Sequence, residues 1–326
     1  MNNNPLVSIL IPCYNGEQFV AEAIESALEQ TYPHVEVIVV DDGSRDNSVE
    51  VLKSYGDRIR YEAGPNQGAC AARNRAFELS SGEFIQYLDA DDVLLPEKLE
   101  RQVPILSQNV ADLTFCKGNI FGDGKPLRPK KSQIGCPEGK DPFLFCLGQG
   151  LSTEGPLIRR SLVERVSGFD EMIKRGQEWN FHVRLAAAGM RIHYSDELLY
   201  NHRHDDRPGR ITKLKMTAED SLSQVLRLGE VLESNPVYEF HESRRQAYCA
   251  RLAPAILSAA RQGNSPVVRQ GIQLLHRLDP QGSYRYSESA LVDALSKRIG
   301  PVTAEVMLKP VRAVRNLFRK SARTTG

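Results

Sequence analysis

Short runs of β-branched residues alternate with helix-patterned segments through the first 120 residues. Val7-Ser-Ile-Leu-Ile-Pro12 and Val35-Glu-Val-Ile-Val-Val40 read as strands buried on both faces. Arg58 to Glu62, Phe84-Ile-Gln-Tyr-Leu88 and Ala111 to Cys116 read as three more strands. Between them, Glu17 to Gln30, Ser48 to Tyr55, Gly68 to Ser80 and Pro96 to Leu106 carry apolar residues at helical spacing. Such alternation implies an α/β fold with a mostly parallel sheet and helices on both faces. In that architecture ligands bind beyond the carboxyl ends of the strands. Three polar clusters fall there: Tyr14-Asn15-Gly16, Asp41-Asp42-Gly43-Ser44 and Asp89-Ala90-Asp91-Asp92.

Each cluster has more than one reading. Asp89 and Asp91 lie two apart, so in extended chain both carboxylates point one way. Two hard oxygens suit Mg²⁺ or Mn²⁺, with substrate phosphates and water completing the shell. The same residues also suit a solvated turn, with Asp92 capping the next helix. Asp42 can accept hydrogen bonds from a base or ribose, or close an Asx-turn with Gly43. Arg73, in Asn66-Gln67-Gly68 to Arg73-Asn74, can neutralise phosphate, hold a carboxylate or form a surface ion pair. Further on, Gln177-Glu178-Trp179 opens a helix-patterned segment. Glu178 there either stabilises the helix start or removes a proton from an acceptor hydroxyl. In His202-Arg203-His204-Asp205-Asp206 a neutral imidazole can ligate Mn²⁺ or be an ordinary loop residue.

Composition excludes several other classes. The 326 residues carry a net charge of +1, so no global field invites nucleic acid. No apolar run approaches the ~18 residues a membrane span needs. The amino terminus lacks the basic and apolar regions of a secretory signal, which implies a cytoplasmic location. The six cysteines are scattered, with no Cys-x-x-Cys pair, and read as free thiols. No Gly-x-Gly-x-x-Gly follows a strand, against a dinucleotide-dependent oxidoreductase. The Gly-rich, Lys/Arg-containing loop of a sugar-phosphate nucleotidyltransferase is missing after the first strand. A non-catalytic binding protein of the same fold remains as the other alternative.

Gly122 to Gly150 reads mainly as loop, and helix and strand signals return from Pro156 to Tyr200. After Pro208-Gly209 the pattern becomes helical, over Lys215 to Ser234, Glu239 to Gln262, Val267 to Leu278 and Glu288 to Lys320. We place a domain boundary near residue 210, giving domains 1–210 and 211–326. The second ends in a basic amphipathic stretch, residues 309–326. Lys309, Arg312, Arg315, Arg319, Lys320 and Arg323 accompany an apolar face of Val311, Val314, Leu317 and Phe318. It suits either peripheral contact with the inner face of an anionic membrane or packing against protein.

Taken together, Val7 to Gly16, Val37 to Ser44, Asn66 to Asn74 and Gly82 to Asp92 resemble the motifs of family 2 glycosyltransferases, in order and spacing. Gly168-Phe-Asp-Glu171 and Gln177-Glu-Trp179 resemble its later motifs. The resemblance covers about two-thirds of the chain. It implies a GT-A fold and inverting transfer from a nucleotide-diphospho-sugar, with uridine as the base, to a glycan or lipid-linked saccharide acceptor. By position it implies that Pro12, Tyr14 and Asp42 line the nucleoside pocket, with Arg73, Asp89 and Ala90 near the nucleotide-sugar. Asp91 would be the direct metal ligand, with Asp89 and His204 in support, and His202 as the alternative imidazole. Glu178 falls where the family places its catalytic carboxylate. The family often has Glu-Asp where this chain has Gln177-Glu178, and the region after residue 210 resembles nothing named.

Overall fold

The computed structural model describes residues 4–122, 125–130, 135–136, 139–204, 216–263, 265–305 and 308. The chain divides into two compact units, Met1–Ile211 with Val237–Glu239, and Thr212–Pro236 with Phe240–Gly326. The expected boundary near residue 210 and the basic stretch 309–326 lie outside the described residues.

The first unit is built on one mixed sheet in the order β3-β2-β1-β4-β8-β6-β9-β5, with β7 pairing β6. Strands β1 (Val7–Cys13), β2 (Val35–Asp41), β3 (Arg60–Ala63) and β4 (Phe84–Tyr87) are mutually parallel. Their β-branched residues are buried on both faces: Ile9, Ile11, Val37 and Val39 lie in one core cluster, and Leu10 and Ile38 are also fully buried. Helices α1 (Val20–Leu28), α2 (Ser48–Ser54) and α3 (Ala69–Leu79) connect them, and α4 (Lys98–Ser107) comes after β4. Strand β5 (Val93–Leu94) follows the acidic cluster and precedes α4, whose N-cap is Glu97. Asp92 therefore does not cap the helix.

Beyond β4 the sheet turns antiparallel. Strand β8 (Leu157–Arg159) runs between β4 and β6 (Leu113–Gly122), antiparallel to both. The long β9 (Ile192–Arg203) is parallel to β6 and antiparallel to β5. The stretch read mainly as loop contains β7 (Lys125–Pro129) and α5 (Pro142–Gly148). Helix α5 has both start signals, Asp141 accepting from the Phe143 amide and Pro142 in its first turn. Helices α6 (Arg160–Arg165) and α7 (Gln177–Ala187) complete the unit. This is a GT-A fold.

The second unit is helical: α8 (Ala218–Ser234), α9 (Glu242–Ala260), α10 (Pro266–Leu278) and α11 (Ala290–Ile299). Thr217 and Asp220 form a capping box at the start of α8. Pro254 is accommodated inside α9. Among the described residues no helix is long and apolar enough to cross a membrane.

Candidate functional site

The parallel strands deliver their loops to one edge, and those loops are laced together. The Asp42 amide donates to the Cys13 carbonyl at 2.8 Å. The Asn15 amide donates to Ser44 Oγ at 2.8 Å, and the Arg45 amide to Asn15 Oδ1 at 2.8 Å. The Gly16 amide donates to Ser48 Oγ at 2.8 Å. Asn15 adopts a φ of +50°, which an asparagine tolerates better than most residues. Pro12 is half-buried within β1, and Tyr14 is 49% exposed just beyond it.

Asp42 is buried, and its carboxylate ties this edge to the start of α3. Oδ1 accepts from the Gln67 amide at 2.6 Å and Oδ2 from the Gly68 amide at 2.9 Å. Gly68 is the N-cap of α3, at a φ of +100° that favours glycine. Gly43 is likewise at +74°, and a Cβ there would meet the Asn66 nitrogen at 2.7 Å.

Helix α3 places Arg73 at the centre of the site. It is 4% exposed. Nη2 donates to Asp89 Oδ1 at 2.7 Å and lies 3.3 Å from Glu178 Oε1, while Nη1 donates to Gln177 Oε1 at 2.7 Å. The guanidinium also sits over the Phe169 ring, 5.2 Å from its centroid. Burial works against the charge of Arg73, but Asp89 and Glu178 outweigh it and hold the group protonated. Thus residues far apart in sequence, Arg73, Asp89, Gln177 and Glu178, are joined by one side chain. Asp89, Ala90 and Asp91 are partly exposed in the turn after β4, and Glu178 is partly exposed at the start of α7.

Behind the turn lies a group that sequence reasoning missed. Asp92 is fully buried; Oδ2 faces His202 Nδ1 at 2.9 Å and Oδ1 accepts from the Arg203 amide at 2.6 Å. Glu154 is 1% exposed, and its Oε2, without a hydrogen-bond partner, lies 3.9 Å from His202 Nδ1. Burial raises the Asp92 carboxyl to about 7, and burial next to Asp92 raises Glu154 well above the usual range. Two adjacent buried carboxyls do not both ionise unless something positive joins them. Glu154 sits in Ser152-Thr-Glu-Gly155, which has no periodicity to mark it, whereas Asp92 and His202 belong to clusters already singled out.

Two donor sets therefore bear on a divalent cation. Asp89 and Asp91 offer hard oxygens on a partly exposed turn, which fits a cation that must keep positions open to substrate. Asp92, Glu154 and His202 come within 4.8 Å of one another, and among the described residues they are the trio that does so. Asp89, Asp91 and His204 are not gathered at that spacing. His204 is exposed at the end of β9, its amide donating to the Phe121 carbonyl at 2.7 Å. The buried trio offers no position open to substrate, because both Asp92 oxygens are engaged and neither acid is accessible. The exposed turn fits the catalytic requirement better.

Comparison with known proteins agrees with this architecture. A glycosyl transferase family 2 model matches residues 8–167. An uncharacterized glycosyltransferase of Rickettsia typhi is 32% identical over 221 residues, 66% of this chain and 69% of that protein. Another, from Rickettsia felis, is 35% identical over 215 residues. Those residues are 63% of this chain, which spans only 35% of that relative's length. This chain belongs to glycosyl transferase family 2. The crystal structure of residues 1–349 of S. aureus TarS in complex with UDP-GlcNAc shares the fold, with a TM-score of 0.68 at 18% identity. The likeness covers 94% of this chain and 92% of that one, and the UDP complex of the same protein aligns with a TM-score of 0.67.

Proposed function

We propose that this chain transfers a sugar, with inversion, from a UDP-linked donor to a hydroxyl of a glycan or lipid-linked saccharide. The observation that carries the reading is the convergence on Arg73. One buried guanidinium joins Asp89 of the acidic turn to Glu178 at the start of α7. The UDP and UDP-GlcNAc complexes of TarS support uridine as the base.

In this reading Pro12, Tyr14 and Asp42 line the nucleoside pocket. The Asp42 carboxylate is held by two backbone amides and keeps lone pairs for the base. Small Ala90 and the fixed charge of Arg73 flank the diphosphate-sugar. Mn²⁺ or Mg²⁺, held by Asp91 with Asp89 in support on the partly exposed turn, would supply positive charge against the leaving diphosphate. Glu178 takes the proton of the acceptor hydroxyl. The hydroxyl oxygen bonds to the anomeric carbon as the bond from that carbon to the UDP oxygen breaks. One displacement inverts the centre, and no covalent enzyme intermediate forms. A cytoplasmic location at the inner membrane face belongs to the same reading and rests on the basic pattern of residues 309–326 in the sequence.

The test is UDP release from UDP-glucose, UDP-galactose and UDP-N-acetylglucosamine, with Mn²⁺ and again with EDTA. Glu178→Gln is expected to lower turnover by roughly 10²- to 10⁴-fold while donor affinity stays the same. Retained turnover, or donor affinity lost in parallel, would remove Glu178 as the base.

A further inference from the structure

Three side chains on one face of α3 grip the segment that leads into α7. Cys70, Arg73 and Asn74 stand at i, i+3 and i+4. The Cys70 thiol donates to the Ile173 carbonyl at 3.5 Å. Asn74 donates to the Phe169 carbonyl at 3.0 Å and accepts from the Phe169 amide at 2.8 Å. Arg73 reaches Gln177 at the far end of the segment. Gly176, at a φ of +62°, turns the chain sharply just before α7 begins.

Gln177 closes this clamp from the other side. It is buried, and each end of its amide has a distinct task. Oε1 accepts from Arg73 Nη1 at 2.7 Å. Nε2 donates to the carbonyls of Ile173 at 3.1 Å and Lys174 at 3.3 Å. Arginine only donates and a backbone carbonyl only accepts, so the amide orientation is forced. A glutamate here could serve Arg73 but would turn a carboxylate oxygen on two carbonyls. An apolar residue would serve neither side.

We propose that Gln177 is the positioning residue for Glu178. Its amide fixes the loop carbonyls and the Arg73 guanidinium at once. The carboxylate on the next residue, 3.3 Å from that guanidinium, is thereby aimed before substrate arrives. In this chain the neutral amide at 177 donates and accepts at once, which a carboxylate in the same place would not do. The proposal rests on the reading of Glu178 as the base.

The test is a double-mutant cycle read as UDP release from UDP-N-acetylglucosamine, or from whichever sugar nucleotide of the panel turns over fastest. Gln177→Glu and Gln177→Met, each close to glutamine in length, are measured alone and combined with Glu178→Gln. Each single variant is expected to lose roughly 10- to 100-fold in kcat, with donor KM within about twofold of the parent. In the Glu178→Gln background the same substitutions cost less than about twofold, because the group they aim is gone. Equal losses in both backgrounds, or a loss confined to KM, would overturn the proposal and leave the base assignment standing. Full turnover in Glu178→Gln alone would remove both. Failure of both position-177 variants to fold would make Gln177 a purely structural residue and also overturn the proposal.

Discussion

Lys98 is the sharpest test of the energetics behind the site. It lies in α4, fully buried, and both acceptors of its ammonium are neutral amides: Gln86 Oε1 at 2.5 Å and Gln102 Oε1. Those amides then donate to the backbone that carries the buried acid, Gln86 to the Glu154 carbonyl at 3.0 Å and Gln102 to the Gly155 carbonyl at 3.0 Å. Burial pushes the ammonium from 10.5 down to about 8, against the pull of Cys116 and Glu154. Its folded pKa is thus below its unfolded one, and between the two the unfolded chain binds more protons. Stability from this group therefore grows as pH rises through about 8 toward 10.5 and is lost as pH falls. The drop corresponds to about 3 kcal/mol in full, of which about 2–3 kcal/mol develops between pH 7 and pH 10. Lys98→Met removes the dependence, though it leaves two amide oxygens without a donor. The assay is urea unfolding followed by the fluorescence of Trp179, the single tryptophan, which lies in the same unit as Lys98. From pH 7 to pH 10 the parent midpoint should gain about 1 M relative to the variant. A difference between the two that is flat with pH would refute a buried, charge-disfavoured lysine.

Two further predictions concern other joints of the same unit. Asp42→Ala strands the Gln67 and Gly68 amides and should cost about 2–3 kcal/mol, seen as a lower Tm, together with weaker UDP binding by calorimetry. In Gly118→Ala the added Cβ would lie against the ring of fully buried Tyr200. It should cost about 1–3 kcal/mol in urea unfolding, with Tyr200→Leu in the same chain recovering part of it.

The sheet edge was legible because its signals are local. The runs Val7 to Pro12, Val35 to Val40 and Phe84 to Leu88 carry their own burial, and each ends in a polar cluster. The α/β class and the convergence of three loops follow from that pattern. The second half of the sheet was not legible in the same way. Strand β8 is three residues long, and β7 contains two prolines that argue against a strand until its place at the sheet margin is known. The hub was beyond reach because hydrogen bonds such as Arg73 to Gln177 span 104 positions, and no periodicity encodes them. Lys98 shows the limit most plainly. A lysine inside a helix pattern normally faces water, and here Gln86 of β4 and Gln102 of the same helix together make a buried place for it.

The lacing of the first two loops has a consequence for how this surface can diversify. The links run from backbone amides to a few short side chains, Asn15, Ser44, Ser48 and Asp42. The residues that lend only their amides, such as Arg45 and Gln67, contribute nothing to those links with their own side chains. Selection can therefore rewrite those side chains without redrawing the loops. A library varied at Arg45 and Gln67 over fixed anchors would change the surface chemistry of this edge while leaving its amide links as they stand.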